Sequence, residues 1–171
     1  QIPARIELER QVIETATAAG IRVIGPNCVG IINNDAQIDT TFVPNIPTGK
    51  GGLSIVTQSG ATGAAILLMA GDLVAPMGFC KYGHVGNGSD VQATDILEYY
   101  GDDPTTRVVG MYLEGVNDGR EFMRVLGAVT RKKPVLALKV GRTAMASQAA
   151  HSHTGSLAGS DKVYDGILRQ Y

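Results

Sequence analysis

The sequence predicts an α/β fold built on a doubly wound parallel sheet with helices on both faces. From residue 53 onward, short apolar runs alternate with segments of helical length, the pattern of successive strand–helix units. The apolar runs are nearly continuous and not alternating, as in strands covered on both faces. The 22 glycines concentrate after these runs, as at Gly25, Gly30, Gly60, Gly83, Gly86, Gly88, Gly115 and Gly141. Small residues at strand ends suit loops that approach a ligand closely.

In chain order, residues 11–19 read as an amphipathic helix closed by Gly20. Residues 21–24 read as a short buried strand and 29–32 as an extended piece. Residues 33–52 lack periodicity and carry Asn33, Asn34, Asp35, Pro44, Pro47, Gly49 and Gly51, so a linker and a domain boundary are expected there. Four strands follow, at 53–57, 77–82, 108–113 and 135–140, with helices at 61–70, 91–100 and 119–130 between them. A loop and a helix from about Ser160 close the chain. This order gives right-handed crossovers and a flavodoxin-like layout. Asp90 reads as the cap of the helix after the second strand, and Asp95 as a surface position on it.

Composition narrows the function classes. With 44% hydrophobic and 18% charged residues the chain is too apolar for disorder. A net charge of −1 supplies no basic surface for nucleic acid or an acidic membrane. The apolar runs are too short and too broken by Gly to span a bilayer. Cys28 and Cys80 make neither a metal spacing nor a disulfide framework, and both read as small buried residues of a protein in a reducing cytoplasm. A start at Gln1 and a stop at Tyr171 inside a helical pattern point to a piece of a longer polypeptide.

Three stretches carry chemistry. Thr57-Gln58-Ser59-Gly60-Ala61-Thr62-Gly63 joins a strand to a helix, whose first amides have no acceptor within the helix and sit at its positive pole. That makes an anion site of Ser59, Gly60 and Ala61, or simply a serine cap. It is not a Walker loop, because the Gly-Lys-Ser/Thr ending is missing. His151-Ser152-His153-Thr154-Gly155-Ser156 is a small-residue loop after the last strand. A neutral imidazole there can accept a phosphoryl group; an exposed histidine pair and a metal site are the other readings. Glu114 ends the third strand of the regular region and faces the crevice, where a carboxylate can fix an imidazole tautomer.

Taken together, four segments resemble one family, the NDP-forming acyl-CoA synthetases of the succinyl-CoA synthetase superfamily. Ile24-Gly25-Pro26-Asn27-Cys28-Val29-Gly30-Ile31-Ile32 resembles the segment after the CoA-binding domain. Gln58-Ser59-Gly60 resembles the phosphate-binding helix start, and Tyr82 to Asp90 the loop before the next helix. Ser152 to Gly159 resembles the phosphohistidine loop.

The resemblance implies conversion of acyl-CoA, NDP and phosphate to acid, CoA and NTP through an acyl phosphate and a phosphohistidine. It makes His153 the phosphorylated residue and Glu114 the acid that orients it. It places Ser59, Gly60, Ala61, Thr154 and Gly155 around the phosphate, and no metal on this chain. It implies CoA, ATP or ADP, and Mg2+ as cofactors of the parent protein, an ATP-grasp domain or β subunit as partner in cis or in trans, and an oligomer. Residues 1–34 then correspond to the tail end of a Rossmann-like CoA-binding domain, 35–52 to a linker and 53–171 to the flavodoxin-like domain with the His loop. The alternative from the same resemblance is a CoA-sensing regulatory region of a protein lysine acetyltransferase. Retention of His153 and Glu114 argues for the enzyme. An FMN binder is disfavoured by 5% aromatic content and the lack of Trp.

Overall fold

The computed structural model describes residues 3–44, 46, 51–72, 78–141 and 161–171. Its elements are α1 (Pro3–Ala18), β1 (Ile31–Asn33), β2 (Ile38–Asp39), β3 (Leu53–Thr57), α2 (Gly60–Asp72), β4 (Phe79–His84), α3 (Ala93–Asp102), β5 (Val108–Leu113), α4 (Gly119–Thr130), β6 (Val135–Lys139) and α5 (Asp161–Gln170). One six-stranded sheet runs in the order β2-β1-β4-β3-β5-β6.

β4, β3, β5 and β6 are mutually parallel, whereas β1 and β2 add an antiparallel hairpin on the β4 side. Within the parallel part the first strand, β3, lies between the second and the third. Its direction of winding therefore reverses between β3 and β5. Ligands in such sheets bind outside the carboxyl ends of the strands at this reversal.

The two faces are covered by different helices. Leu67 of α2 packs with Ile32, Ile55, Phe79 and Tyr82 on one face. On the other, α3 and α4 bring Leu97, Tyr100, Phe122, Val125 and Leu126 against Val56, Val109, Met111 and Leu113, with Ile167 and Leu168 of α5 beside them. Leu67, Leu97 and Phe122 are fully buried, each contributing about 1.5–3 kcal/mol. The bulge opposite Leu53 and Ser54 shifts the β4 register by one residue, which is why Phe79 and Tyr82 share a face.

Several local expectations change. α1 begins at Pro3, well before residue 11, because its early turns are held by polar pairs such as Arg10 with Glu7 and Glu14, not by an apolar stripe. Residues 21–24 form no strand, and Ile21 is exposed. Within the segment expected as a linker, Asn33 Oδ1 accepts from the amides of Asp35 and Ala36 and turns the chain into β2. Asp90 does not cap α3. It accepts from Arg22 Nε and from the Val23 amide, while the Asp95 carboxylate closes the first turn by accepting from the Gln92 amide at 2.7 Å. Cys80 is buried as expected and Cys28 is partly exposed.

At the amino ends of the strands a polar cluster is closed on itself. The Lys81 ammonium, 4% exposed, donates to Asp103 (2.8 Å), Asp35 (3.0 Å) and Thr105 (2.8 Å). Burial works against its charge, and the hydrogen bonds to Asp103 and Asp35 more than offset that, so its pKa is raised. Hydrogen bonds from Thr105 and Lys81 hold the Asp35 carboxyl at about 2. Ser54 and Thr106 share a buried hydroxyl contact of 2.7 Å beside it. No helix among the described residues is long and apolar enough to cross a membrane.

Candidate active site at the carboxyl ends of the strands

Ser59 caps α2. Its hydroxyl accepts from the Thr62 amide at 3.3 Å and contacts the Thr62 hydroxyl at 3.0 Å, while its carbonyl accepts the first helical bond from Gly63. Thr57 Oγ1 braces the turn by accepting from the Ser59 amide and donating to the Ser59 carbonyl. The capping role therefore uses the Ser59 side chain. The amides of Gly60 and Ala61, which have no acceptor within a helix, stand at the wall of a cleft. Gly60 is dictated by space: a Cβ there would lie 2.9 Å from Val29 Cγ2 and 3.0 Å from His84 Cε1.

The cleft measures about 570 Å³. Its lining includes Ser59, Gly60, Ala61 and Ala64 of the α2 start, Cys28 and Val29 of the turn, Phe42 and Val43 at the lip, and His84 and Glu114. Phe42, 77% exposed, sets an apolar ring at the edge of this cleft. Under the first turn of α2 the Tyr82 phenol is buried, and burial pushes its pKa up to about 12.

Gln58 joins the two strands at the winding reversal. Its Oε1 accepts from the amides of Glu114 (2.6 Å) and Gly115 (3.1 Å), and its Nε2 donates to the Gly115 carbonyl at 2.8 Å. The Glu114 carbonyl also accepts from Lys139 Nζ at 2.9 Å, and that ammonium lies 4.7 Å from the Tyr164 ring centroid. Tyr164 in turn accepts from the Val116 amide. Backbone around Glu114 is thus fixed from the end of β3, from β6 and from α5 together, and Glu114 lines the same cleft as the start of α2.

His84 ends β4 and is 4% exposed. Its Nδ1 accepts from the Val29 amide at 2.7 Å, and its Nε2 lies 3.3 Å from the Gln58 carbonyl. The first contact requires Nδ1 to be unprotonated, so the ring is neutral with its proton on Nε2. Burial pushes its pKa below 6.5, opposed by the Gln58 contact.

Loops 25–30 and 86–89 meet in the same region. The Asn87 and Ser89 amides donate to the carbonyls of Pro26 and Gly25. Glu9 of α1 accepts from Asn87 Nδ2 at 2.9 Å and from the Ser89 hydroxyl. The left-handed turn residues Asn27 (φ 58°) and Gly86 (φ 59°) shape this junction.

The structure therefore brings Ser59, Gly60, Ala61 and Glu114 to one cleft. His153, Thr154 and Gly155 lie outside the described residues. Sequence reasoning missed His84, the side chain of Gln58 and the Phe42–Val43 lip. A signal existed for the first: a histidine ending an apolar strand one position before Val85 and Gly86 is placed at a carboxyl end by the same reasoning that selected Glu114.

Known proteins resemble the chain over nearly its whole length. Residues 50–171 match the succinyl-CoA ligase-like flavodoxin domain. The chain is 43% identical over 162 residues to the alpha subunit of ADP-forming acetate–CoA ligase II of Pyrococcus furiosus, covering 95% of this chain and 35% of that subunit. It is 46% identical over 171 residues to the ADP-forming acetate–CoA ligase of Methanocaldococcus jannaschii, with 96% and 24% covered. Among solved structures, dinucleotide-forming acetyl-coenzyme A synthetase 1 of Ca. Korarchaeum cryptofilum, in complex with phosphate and ADP, superposes with a TM-score of 0.86 at 36% identity, over 96% of this chain and 35% of that one. The chain spans about a quarter to a third of the length of these relatives.

Proposed function

The chain belongs to the succinyl-CoA ligase-like flavodoxin-domain family, and from that premise we propose that it is the part of an ADP-forming acyl-CoA synthetase that makes an acyl phosphate and captures its phosphoryl group. One observation carries the reading. The capped start of α2 and Glu114 line a single cleft and are tied together by the Gln58 side chain. An anion held at the Gly60 and Ala61 amides then stands beside a carboxylate suited to orient an imidazole.

In the proposed reaction an oxygen of inorganic phosphate attacks the thioester carbonyl of acyl-CoA. A C–O bond forms, the C–S bond breaks, and CoA departs as its thiolate. His153 next attacks the phosphorus of the acyl phosphate. An N–P bond forms, the P–O bond to the acyl group breaks, and the acid leaves as a carboxylate. A nucleoside diphosphate finally takes the phosphoryl group from His153. Glu114 accepts the imidazole N–H that does not face phosphorus, which fixes the tautomer and favours the cationic ring formed on phosphorylation. Ser59, Gly60 and Ala61 bind the phosphate, with Thr154 and Gly155 as further phosphate-binding residues.

CoA and an adenine nucleotide are the co-substrates, and Mg2+ accompanies the nucleotide. No three His, Cys, Asp or Glu side chains gather to hold a metal ion among the described residues, and the metal is assigned to the nucleotide module. That module is an ATP-grasp domain or subunit, in cis or in trans, within a cytoplasmic oligomer. In the same reading residues 1–34 are the end of a CoA-binding unit, 35–52 connect it, and 53–171 form the phosphoryl-transfer domain.

The test is chemical. The full-length protein that carries this chain is incubated with γ-labelled ATP and Mg2+. Acid-labile, base-stable label is expected, and none in a His153→Ala variant of unchanged fold. An unlabelled wild type would sink the proposal.

A further inference from the structure

We propose that His84 is a positioning residue for the phosphate site, a neutral imidazole that holds the turn at Val29 and the start of α2 at the spacing an anion needs. The inference rests on the function proposed above and adds a residue to its site.

The argument begins with the two contacts of the ring. Val29 belongs to the turn at one wall of the cleft and Gln58 to the strand end that leads into the Ser59 cap. Among the described residues, His84 bonds both, through Nδ1 to the Val29 amide and Nε2 to the Gln58 carbonyl. The same ring defines the space at Gly60, where an added Cβ would meet Cε1 at 3.0 Å and Val29 Cγ2 at 2.9 Å. Gln58 then passes the placement on to Glu114 and Gly115 through its side chain. Three separate loops thus take their spacing from one side chain. At 4% exposure with both nitrogens engaged, His84 does not itself reach the reacting atoms.

Loss of either contact leaves a buried amide or carbonyl unsatisfied and lets the turn and the helix start separate. The step that suffers is anion binding, which depends on amide placement to tenths of an ångström.

The experiment uses the full-length protein and inorganic phosphate as the probe. Titration calorimetry gives the phosphate Kd for the wild type and for His84→Ala, His84→Asn and His84→Gln, alongside Tm and the KM for phosphate. His84→Ala is expected to raise Kd and KM about tenfold, with kcat within about twofold. The Asn variant keeps an acceptor for the Val29 amide, and the Gln variant keeps a donor toward the Gln58 carbonyl. Each is expected to recover part of the loss. Imidazole 15N shifts should show the proton on Nε2 in the wild type. An unchanged phosphate Kd in a folded Ala variant, a uniform loss across all substrates without rescue, or a proton on Nδ1 would each overturn the assignment. The phosphohistidine label serves as the separate check. A wild type that takes label while the variants bind phosphate normally defeats only the role of His84. A wild type without label defeats the reaction, and the phosphate comparison still decides His84.

Discussion

The two ends of the parallel sheet are built on opposite principles. At the amino ends, Lys81, Asp35, Asp103 and Thr105 satisfy one another inside a closed cluster, with Lys81 buried. At the carboxyl ends, polar groups are fixed just as firmly but from behind. Gln58, His84 and Lys139 hold backbone, and the residues that open α2 line a cleft. A charge cluster whose members satisfy one another leaves few unmet polar groups for a ligand. Groups oriented by neighbours and left beside a cavity are prepared for a ligand, because their reorganisation is done in advance. The contrast explains why one end reads as scaffold and the other as a site, although both are rich in polar side chains.

Substitutions on either side should separate the two principles. The largest effect is expected at Glu114→Gln, which keeps the shape and removes the charge. Turnover of the full-length protein should fall on the order of 10³-fold while Tm stays within a few degrees. A steep loss of Tm with turnover intact would place Glu114 with the scaffold. The reverse outcome belongs to Lys81→Met at the other end. It leaves Asp103 and Asp35 without their cation and should cost about 3 kcal/mol in denaturant unfolding, with KM for phosphate unchanged in the protein that remains folded. Gly86→Ala tests the loop junction. It strains a positive φ and sets a Cβ 2.1 Å from the Pro26 carbonyl oxygen, so a destabilisation of about 2 kcal/mol is expected, readable as a shift in denaturation midpoint.

The smallest effect is a pH dependence. The folded protein keeps His84 neutral below the pKa of an unfolded histidine, 6.5. The unfolded chain therefore binds more protons in that range, and stability rises with pH there. The contribution of His84 is complete above about 6.5 and is lost progressively as the pH falls below it. Comparing unfolding free energies of the wild type and His84→Asn between pH 7.5 and 5.5 isolates it. Parallel curves would show that the ring does not titrate on unfolding.

Much of the fold was legible because burial on both faces leaves continuous apolar runs. Leu53–Thr57, Val108–Leu113 and Gly119–Thr130 stand where periodicity put them. Misreadings fell where local pattern is silent. α1 is almost wholly exposed, so no apolar stripe marks its first turns. The hairpin of β1 and β2 owes its place to β4, about 50 residues later in the chain, a pairing that local periodicity cannot reveal. Asp90 preceded a helix as a cap would, but Arg22 and the Val23 amide claimed it from 68 and 67 residues away. In the site, Glu114 and the Ser59 turn were visible from strand ends alone. His84 could be placed at a strand end by the same reasoning, but the bonds that it and the Gln58 side chain make between loops form only in the folded sheet.

The Gln58 amide has a consequence for redesign. Its three bonds to residues 114 and 115 act as an extra rung, continuing the β3–β5 ladder beyond the last backbone pair, at Thr57 and Tyr112. The two strand ends beside the crevice are thus held together by a side chain as well as by backbone. For an engineer that makes residue 58 a single codon at which to probe the spacing of the mouth without touching a residue of any strand.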